Sequence, residues 1–90
     1  MMQKITKQVI KKYSVENQLL QYYEESAEVN SAINHYRRGK CSKNHLVSEL
    51  GDLMLMINQI QIIFDISESE LFSAVIRSKT KLEKKLKDKK

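Results

Sequence analysis

The chain has 90 residues, with 16 lysines and arginines against 11 aspartates and glutamates, a net charge of +5, no proline, two glycines and a single cysteine. That length supports one small domain, residues 1–90, near the lower limit for a self-sufficient core, and one cysteine excludes an intramolecular disulfide. Cys41 fits a reducing cytosol, no long uncharged apolar run offers a membrane span, and the N-terminal lysines precede no apolar block of a secretory signal, so a cytoplasmic protein without a membrane partner is the expectation.

The missing proline and the placement of both glycines at or near helical segments favour an all-α chain. Ile5, Val9 and Tyr13 share a face and predict a short amphipathic helix over about 3–13. Ser14 is the expected N-cap of a second helix running to about residue 38, with Leu19, Tyr23, Ala27 and Tyr36 among its apolar positions. Gly39 ends it, and Arg37, Arg38 and Lys40 complement the negative end of its dipole. Ser42 or Asn44 then caps a third helix reaching about residue 64. Its centre, Leu53-Met54-Leu55-Met56-Ile57, is apolar around the whole circumference. Such a helix needs cover on every side, and a dimer interface supplies it more economically than a lone 90-residue bundle. Ser67-Glu68-Ser69-Glu70 reads as a capping box opening a fourth helix, with Ile66 and Leu71 as its hydrophobic staple. Leu71, Val75, Leu82 and Leu86 continue its apolar stripe, and fraying is expected beyond about residue 86. The expected architecture is an all-α helical bundle, one short helix and three longer ones, completed by oligomerisation.

Positive charge gathers at the two ends: Lys4, Lys7, Lys11 and Lys12 at the start, and Arg77, Lys79, Lys81, Lys84, Lys85, Lys87, Lys89 and Lys90 at the finish. A solvated face and tail account for most such runs, but basic ends also suit a polyphosphate. Between them lie two acidic pairs, Glu25-Ser26-Ala27-Glu28 and Glu49-Leu50-Gly51-Asp52. Side chains at i and i+3 share a helix face. The two pairs are nearly symmetric about Gly39, each roughly 18 Å from it at 1.5 Å per residue. A chain reversal there sets four carboxylates level with one another. One Glu-x-x-Glu is ordinary surface decoration; a second acidic pair at matching height shifts the balance toward a site.

Carboxylates gathered in a bundle repel one another, and a divalent cation cancels the repulsion. Four oxygen ligands suit Mg²⁺, with Mn²⁺ as a substitute, better than zinc. Di-iron bundles need Glu-x-x-His pairs, whereas Glu28 and Asp52 occupy those positions here, and His35 and His45 lie outside both motifs. Oxygen-only ligation points to handling phosphate.

The run Glu24-Glu25-Ser26-Ala27-Glu28-Val29, followed by Glu49-Leu50-Gly51-Asp52-Leu53-Met54 and a helix ending in Ile62-Ile63-Phe64, resembles the paired acidic motifs of the MazG-like all-α nucleoside triphosphate pyrophosphohydrolases. The similarity spans about residues 18–82. It implies Mg²⁺-dependent hydrolysis of a (deoxy)nucleoside triphosphate to monophosphate and pyrophosphate, as in housekeeping of the nucleotide pool. It also implies Glu25, Glu28, Glu49 and Asp52 as metal ligands, Glu25 or its neighbour Glu24 as the group that orients or deprotonates water, Lys79 on the phosphates, and a homodimer or homotetramer. Relatives carry an arginine three residues after that lysine, where this chain has Leu82; Lys81 and Lys84 are the nearby cations, without arginine's bidentate fork. Arg37, Arg38 and Lys40 could approach the triphosphate from the turn. Phosphoribosyl-ATP pyrophosphatases share the acidic motifs but show a histidine soon after the aspartate, and residues 53–57 contain none.

Two other readings stay open: a catalytically silent bundle acting as a partner or nucleotide-sensing subunit, and, with only the C-terminal lysines behind it, a small nucleic-acid-binding protein. No helix-turn-helix pattern supports the latter, and no Gly-rich loop supports a P-loop enzyme. Cys41 has no base placed convincingly beside it, and His35 and His45, which flank the same turn and could pair as ligands, are expected at the surface. Tyr22, Tyr23, Asn17 and Gln21 are available for base and sugar contacts, with no rule to single them out.

Overall fold

The computed structural model describes residues 2–88, in four helices: α1 (Met2–Tyr13), α2 (Val15–Arg37), α3 (Lys43–Ile63) and α4 (Glu68–Asp88). No strand occurs among the described residues, and the all-α expectation holds. Helix α4 runs past the point where fraying was expected; Lys89 and Lys90 of the basic tail lie outside the described residues.

Each helix boundary has a local chemical cause. Ser14 joins α1 to α2: its N–H donates to the Ile10 carbonyl at 3.0 Å, and its Oγ accepts from the Asn17 N–H at 3.3 Å. Helix α2 ends in a Schellman turn, with the Gly39 N–H on the Tyr36 carbonyl (3.0 Å), the Lys40 N–H on the His35 carbonyl (2.8 Å) and Gly39 at φ +71°. Ser42, rather than Asn44, caps α3, its Oγ accepting from the His45 N–H at 3.1 Å. The end of α3 repeats the Schellman pattern through Asp65 N–H to Ile62 O and Ile66 N–H to Gln61 O, but here the left-handed position, φ +55°, is held by Asp65. The capping box is present as read: the Ser67 N–H donates to Glu70 Oε1 at 2.9 Å, and the Glu70 N–H donates to Ser67 Oγ at 3.0 Å.

The core is the antiparallel α2–α3 hairpin, with α1 laid mainly against α3. On α2 the covered positions are Gln18, Leu19, Tyr22, Glu25, Ser26, Val29 and Ala32, and on α3 they are Leu46, Glu49, Leu53, Met56 and all six residues from Asn58 to Ile63; among them Gln18, Tyr22, Glu25, Val29 and Ala32 form one stripe and Leu46, Glu49, Leu53, Met56, Ile60 and Ile63 a second. Their alternating spacing of three and four is that of a coiled-coil seam. Of the apolar positions expected on α2, Leu19 is half-buried, whereas Tyr23, Ala27 and Tyr36 are exposed and the inward stripe runs through a glutamine and a glutamate instead. On α1, Ile5 and Tyr13 are exposed and the covered side lies at Val9 and Ile10.

Helix α4 is joined to α3 at its start, where Gln61 Nε2 donates to Glu68 Oε1 at 3.0 Å. Beyond that joint it packs against no other helix among the described residues, leaving Phe72, Val75, Leu82 and Leu86 exposed. Helix α3 is likewise only partly covered, with Met54, Val47, Leu50 and Ile57 in solvent. It contains an 18-residue stretch of mean hydropathy 1.2, long and apolar enough on length and composition to cross a membrane, of which 22% is buried in the protomer. A monomer of 10.6 kDa would ordinarily expose roughly 5,500 Å²; this one exposes 7568 Å². Its radius of gyration is 16.2 Å, against roughly 12 Å for a compact domain of this length.

The two Schellman turns make a matched test. Asp65 bears a left-handed strain that glycine would not, so Asp65→Gly is expected to stabilise the fold by about 0.5–1 kcal/mol, and Gly39→Ala to destabilise it by about 1 kcal/mol. Urea unfolding of both variants measures the two signs.

Candidate functional site

The hairpin sets the acidic pairs level. The carboxylates of Glu25, Glu49 and Asp52 each offer an oxygen within 4.8 Å of the other two. Glu25 and Glu49 are half-buried seam residues, and Asp52 is exposed at the rim. Glu28 lies outside this trio and is exposed, yet its charge is the strongest electrostatic neighbour of both Glu25 and Glu49. The register follows from the Gly39 turn: the seam brings Glu25 of α2 opposite Glu49 of α3, and the i+3 rule adds Glu28 and Asp52 on the flanks.

Burial, followed by the charges of Glu28, Asp52 and Glu49, raises the Glu25 carboxyl above its ordinary value of 4.5. Burial and then Glu28 likewise raise Glu49, against the lowering influence of His45 one turn earlier. The Oε2 atoms of Glu25 and Glu49 are both buried without a hydrogen-bond partner. Anionic oxygens removed from water and left unpaired are costly, and the nearest charges here have the same sign. A cation among them would offset that cost. The donors here are all carboxylate oxygens, the set that suits a hard divalent ion such as Mg²⁺ or Mn²⁺; three oxygens at this spacing, with a fourth carboxylate beside them, fit that class of ion.

The other residues singled out in the sequence lie apart from this trio. Glu24 lines a cleft of about 390 Å³ against α1. Arg37 lies beside Asn34 and Arg38 at the hairpin turn, roughly 18 Å along α2 from Glu25 at 1.5 Å per residue. Lys79 and Lys81 are exposed on α4, which packs against neither acidic helix. Cys41 is half-buried with its Sγ 3.7 Å from the Ala32 carbonyl, a contact that ties the turn to α2. His45 emerges as a modest electrostatic neighbour of Glu49, legible in retrospect from its i+4 spacing. Two residues escaped sequence reading altogether: Gln18 and Gln59 are buried, each with an unpartnered Oε1. The signal for Gln18 was its place in the 18-22-25-29-32 seam, which a purely apolar search passes over.

No protein-family model, curated protein or solved structure matches this chain.

The raised carboxyls have a measurable consequence. A carboxyl that holds its proton more tightly folded than unfolded stabilises the fold below its unfolded pKa, and loses that contribution as pH rises through the folded value. Glu25 and Glu49 therefore work against the metal-free fold as pH climbs above about 4.5. Glu70, lowered by its hydrogen bonds from Ser67, has the opposite sign and loses its contribution as pH falls. In chelator at neutral pH, Glu25→Gln and Glu49→Gln are each expected to raise the melting temperature, and the gain should vanish at pH 4; thermal melts across that range give the answer.

Proposed function

We propose that this protein is a divalent-metal-dependent nucleoside triphosphate pyrophosphohydrolase of the MazG-like kind, releasing nucleoside monophosphate and pyrophosphate. The observation that carries the reading is the carboxylate trio within 4.8 Å, with two buried anionic oxygens lacking any partner. The trio is drawn from the two acidic motifs that resemble those of that family. Glu25, Glu49 and Asp52 are the proposed metal ligands, with Glu28 completing the set. Bound there, Mg²⁺ would supply charge neutralisation for a phosphate chain and acidity to a coordinated water. Glu25 is the proposed group that orients or deprotonates the attacking water. Glu24 is the alternative for that role.

The proposed protein works as a homo-oligomer in the cytosol. Its exposed area exceeds that of an ordinary monomer by roughly 2,000 Å², comparable with what a stable interface removes from solvent. The uncovered stripes of α3 and α4 are the surfaces a second copy would cover. Lys79 and Lys81, and Arg37 at the turn, are the proposed phosphate contacts; α4 packs on neither acidic helix of its own protomer, so its two lysines would act from a neighbouring subunit.

Turnover is tested on the canonical ribo- and deoxynucleoside triphosphates, with Mg²⁺ or chelator, by quantifying pyrophosphate and monophosphate. Expected is pyrophosphate release that chelator abolishes and that Glu49→Ala lowers by at least about a hundredfold, the scale of losing one charge-stabilising group. Mg²⁺ binding with no release from any nucleotide would favour the silent, nucleotide-sensing subunit instead. The oligomer has its own readout: light scattering coupled to gel filtration should return a multiple of 10.6 kDa, and Phe72→Glu together with Leu82→Glu should reduce it.

A further inference from the structure

At the tip of the α2–α3 hairpin, positive charge stands without a counter-charge. None of residues 29–48 is acidic, while Arg37, Arg38, Lys40 and Lys43 are cations, and all four are exposed. Among the described residues none of these side chains forms an ion pair. The nearest acids along the chain are Glu28 and Glu49. They lie roughly 13 and 9 Å down their helices from Arg37 and Lys43, a Debye length or more at physiological salt.

Helix capping accounts for part of this charge and leaves the rest. The C-terminal end of α2 presents about half a negative elementary charge, for which one cation suffices. Lys43 is placed against the fold: it is the first residue of α3, whose first turn holds no acidic side chain, so its ammonium meets the positive end of a helix. A residue that costs stability at an exposed position, where an acid would serve the helix better, points to a surface kept for binding. The backbone beneath is closed on both sides of the turn. The Lys40 N–H donates to the His35 carbonyl at 2.8 Å, Ser42 Oγ accepts from the His45 N–H at 3.1 Å, and Cys41 Sγ lies 3.7 Å from the Ala32 carbonyl.

We propose that this tip binds a single-stranded nucleic acid along its phosphate chain. The cations are spread over the last turn of α2, the connecting turn and the first turn of α3, with an open depression of about 260 Å³ between Asn34, Arg37 and Arg38. Such an array suits an extended polyanion better than one compact phosphate group. Tyr36, 42% exposed and next to Arg37, adds an aromatic face on which a base can stack. Residues 37–45 hold no large apolar side chain to enter a bilayer, which disfavours an anionic membrane as the partner. The acidic trio, roughly 18 Å along α2 from Arg37, takes no part in this contact, and Arg37 alone is shared with the hydrolase reading.

The test is a titration of a fluorescein-labelled deoxythymidine dodecamer with the full chain, in chelator and at several salt concentrations, followed by fluorescence anisotropy. Four phosphate contacts on a single strand predict a slope of about −3 for the logarithm of affinity against that of salt. Arg38→Ala with Lys40→Ala should about halve that slope, and Lys84→Ala with Lys87→Ala on α4 should leave it unchanged. Tyr36→Leu should weaken binding several-fold at the same slope, the mark of lost stacking. Lys43→Glu separates binding from folding, since it should raise the melting temperature and yet weaken the strand about tenfold. Absence of binding, a slope governed by Lys84 and Lys87, equal affinity for tripolyphosphate, or tighter binding of a duplex or of phosphatidylglycerol vesicles overturns the proposal. Strand binding without pyrophosphate release would uphold the tip and remove the hydrolase; metal-dependent release without strand binding would do the reverse.

Discussion

Everything in this molecule depends on one turn. The Schellman closure at Gly39 fixes where α2 stops and how α3 returns, and thereby which residues of the two helices meet. The seam that results is apolar at Val29, Ala32 and Met56 and charged at Glu25 and Glu49. Packing on the apolar part holds the charged part together. Without Val29, Ala32 and Met56 buried in register, no force would bring like charges to within 4.8 Å.

The cost of that approach is visible in the chemistry of the carboxyls. Both seam glutamates hold their protons above the ordinary range, and both bury an oxygen with nothing to accept from. A bundle selected for stability alone would carry leucine at those two positions. Strain localised at a polar cluster, in a hairpin whose other local signals agree, is where sequence rules are expected to fail for functional reasons. The neighbouring cleft shows the same departure in milder form, with Gln18 in place of a seam aliphatic.

Helix ends were legible because each rests on a few adjacent atoms: the Ser14 hydroxyl, the Gly39 backbone and the reciprocal Ser67–Glu70 pair. The levelling of the acidic pairs was legible because rise per residue and turn position suffice to compute it. The inward face of α2 was not. Periodicity searches for apolar residues, and with Gln18 and Glu25 on the seam the apolar signal shifted to Tyr23 and Ala27, which face solvent. Nor could the stripe on α4 disclose its partner, since an amphipathic pattern reports that a face is to be covered and not by what. Asp65 in the left-handed region was hidden for a related reason, glycine being the residue that usually marks such a position.

The acidic pair on α3 has one more effect. This helix is apolar enough along 18 residues to resemble a bilayer-crossing segment, and much of it is uncovered in the protomer. Asp52 lies at almost the midpoint of Lys43–Ile63, with Glu49 one turn before it. A single aspartate at the centre of a would-be span adds about 2.5–3.5 kcal/mol to insertion. Glu49 lies one turn from that centre, where insertion is also costly, and the buried amides of Asn58, Gln59 and Gln61 add more. The residues that make α3 a candidate ligand-bearing helix thus also make hydrocarbon a poor solvent for it.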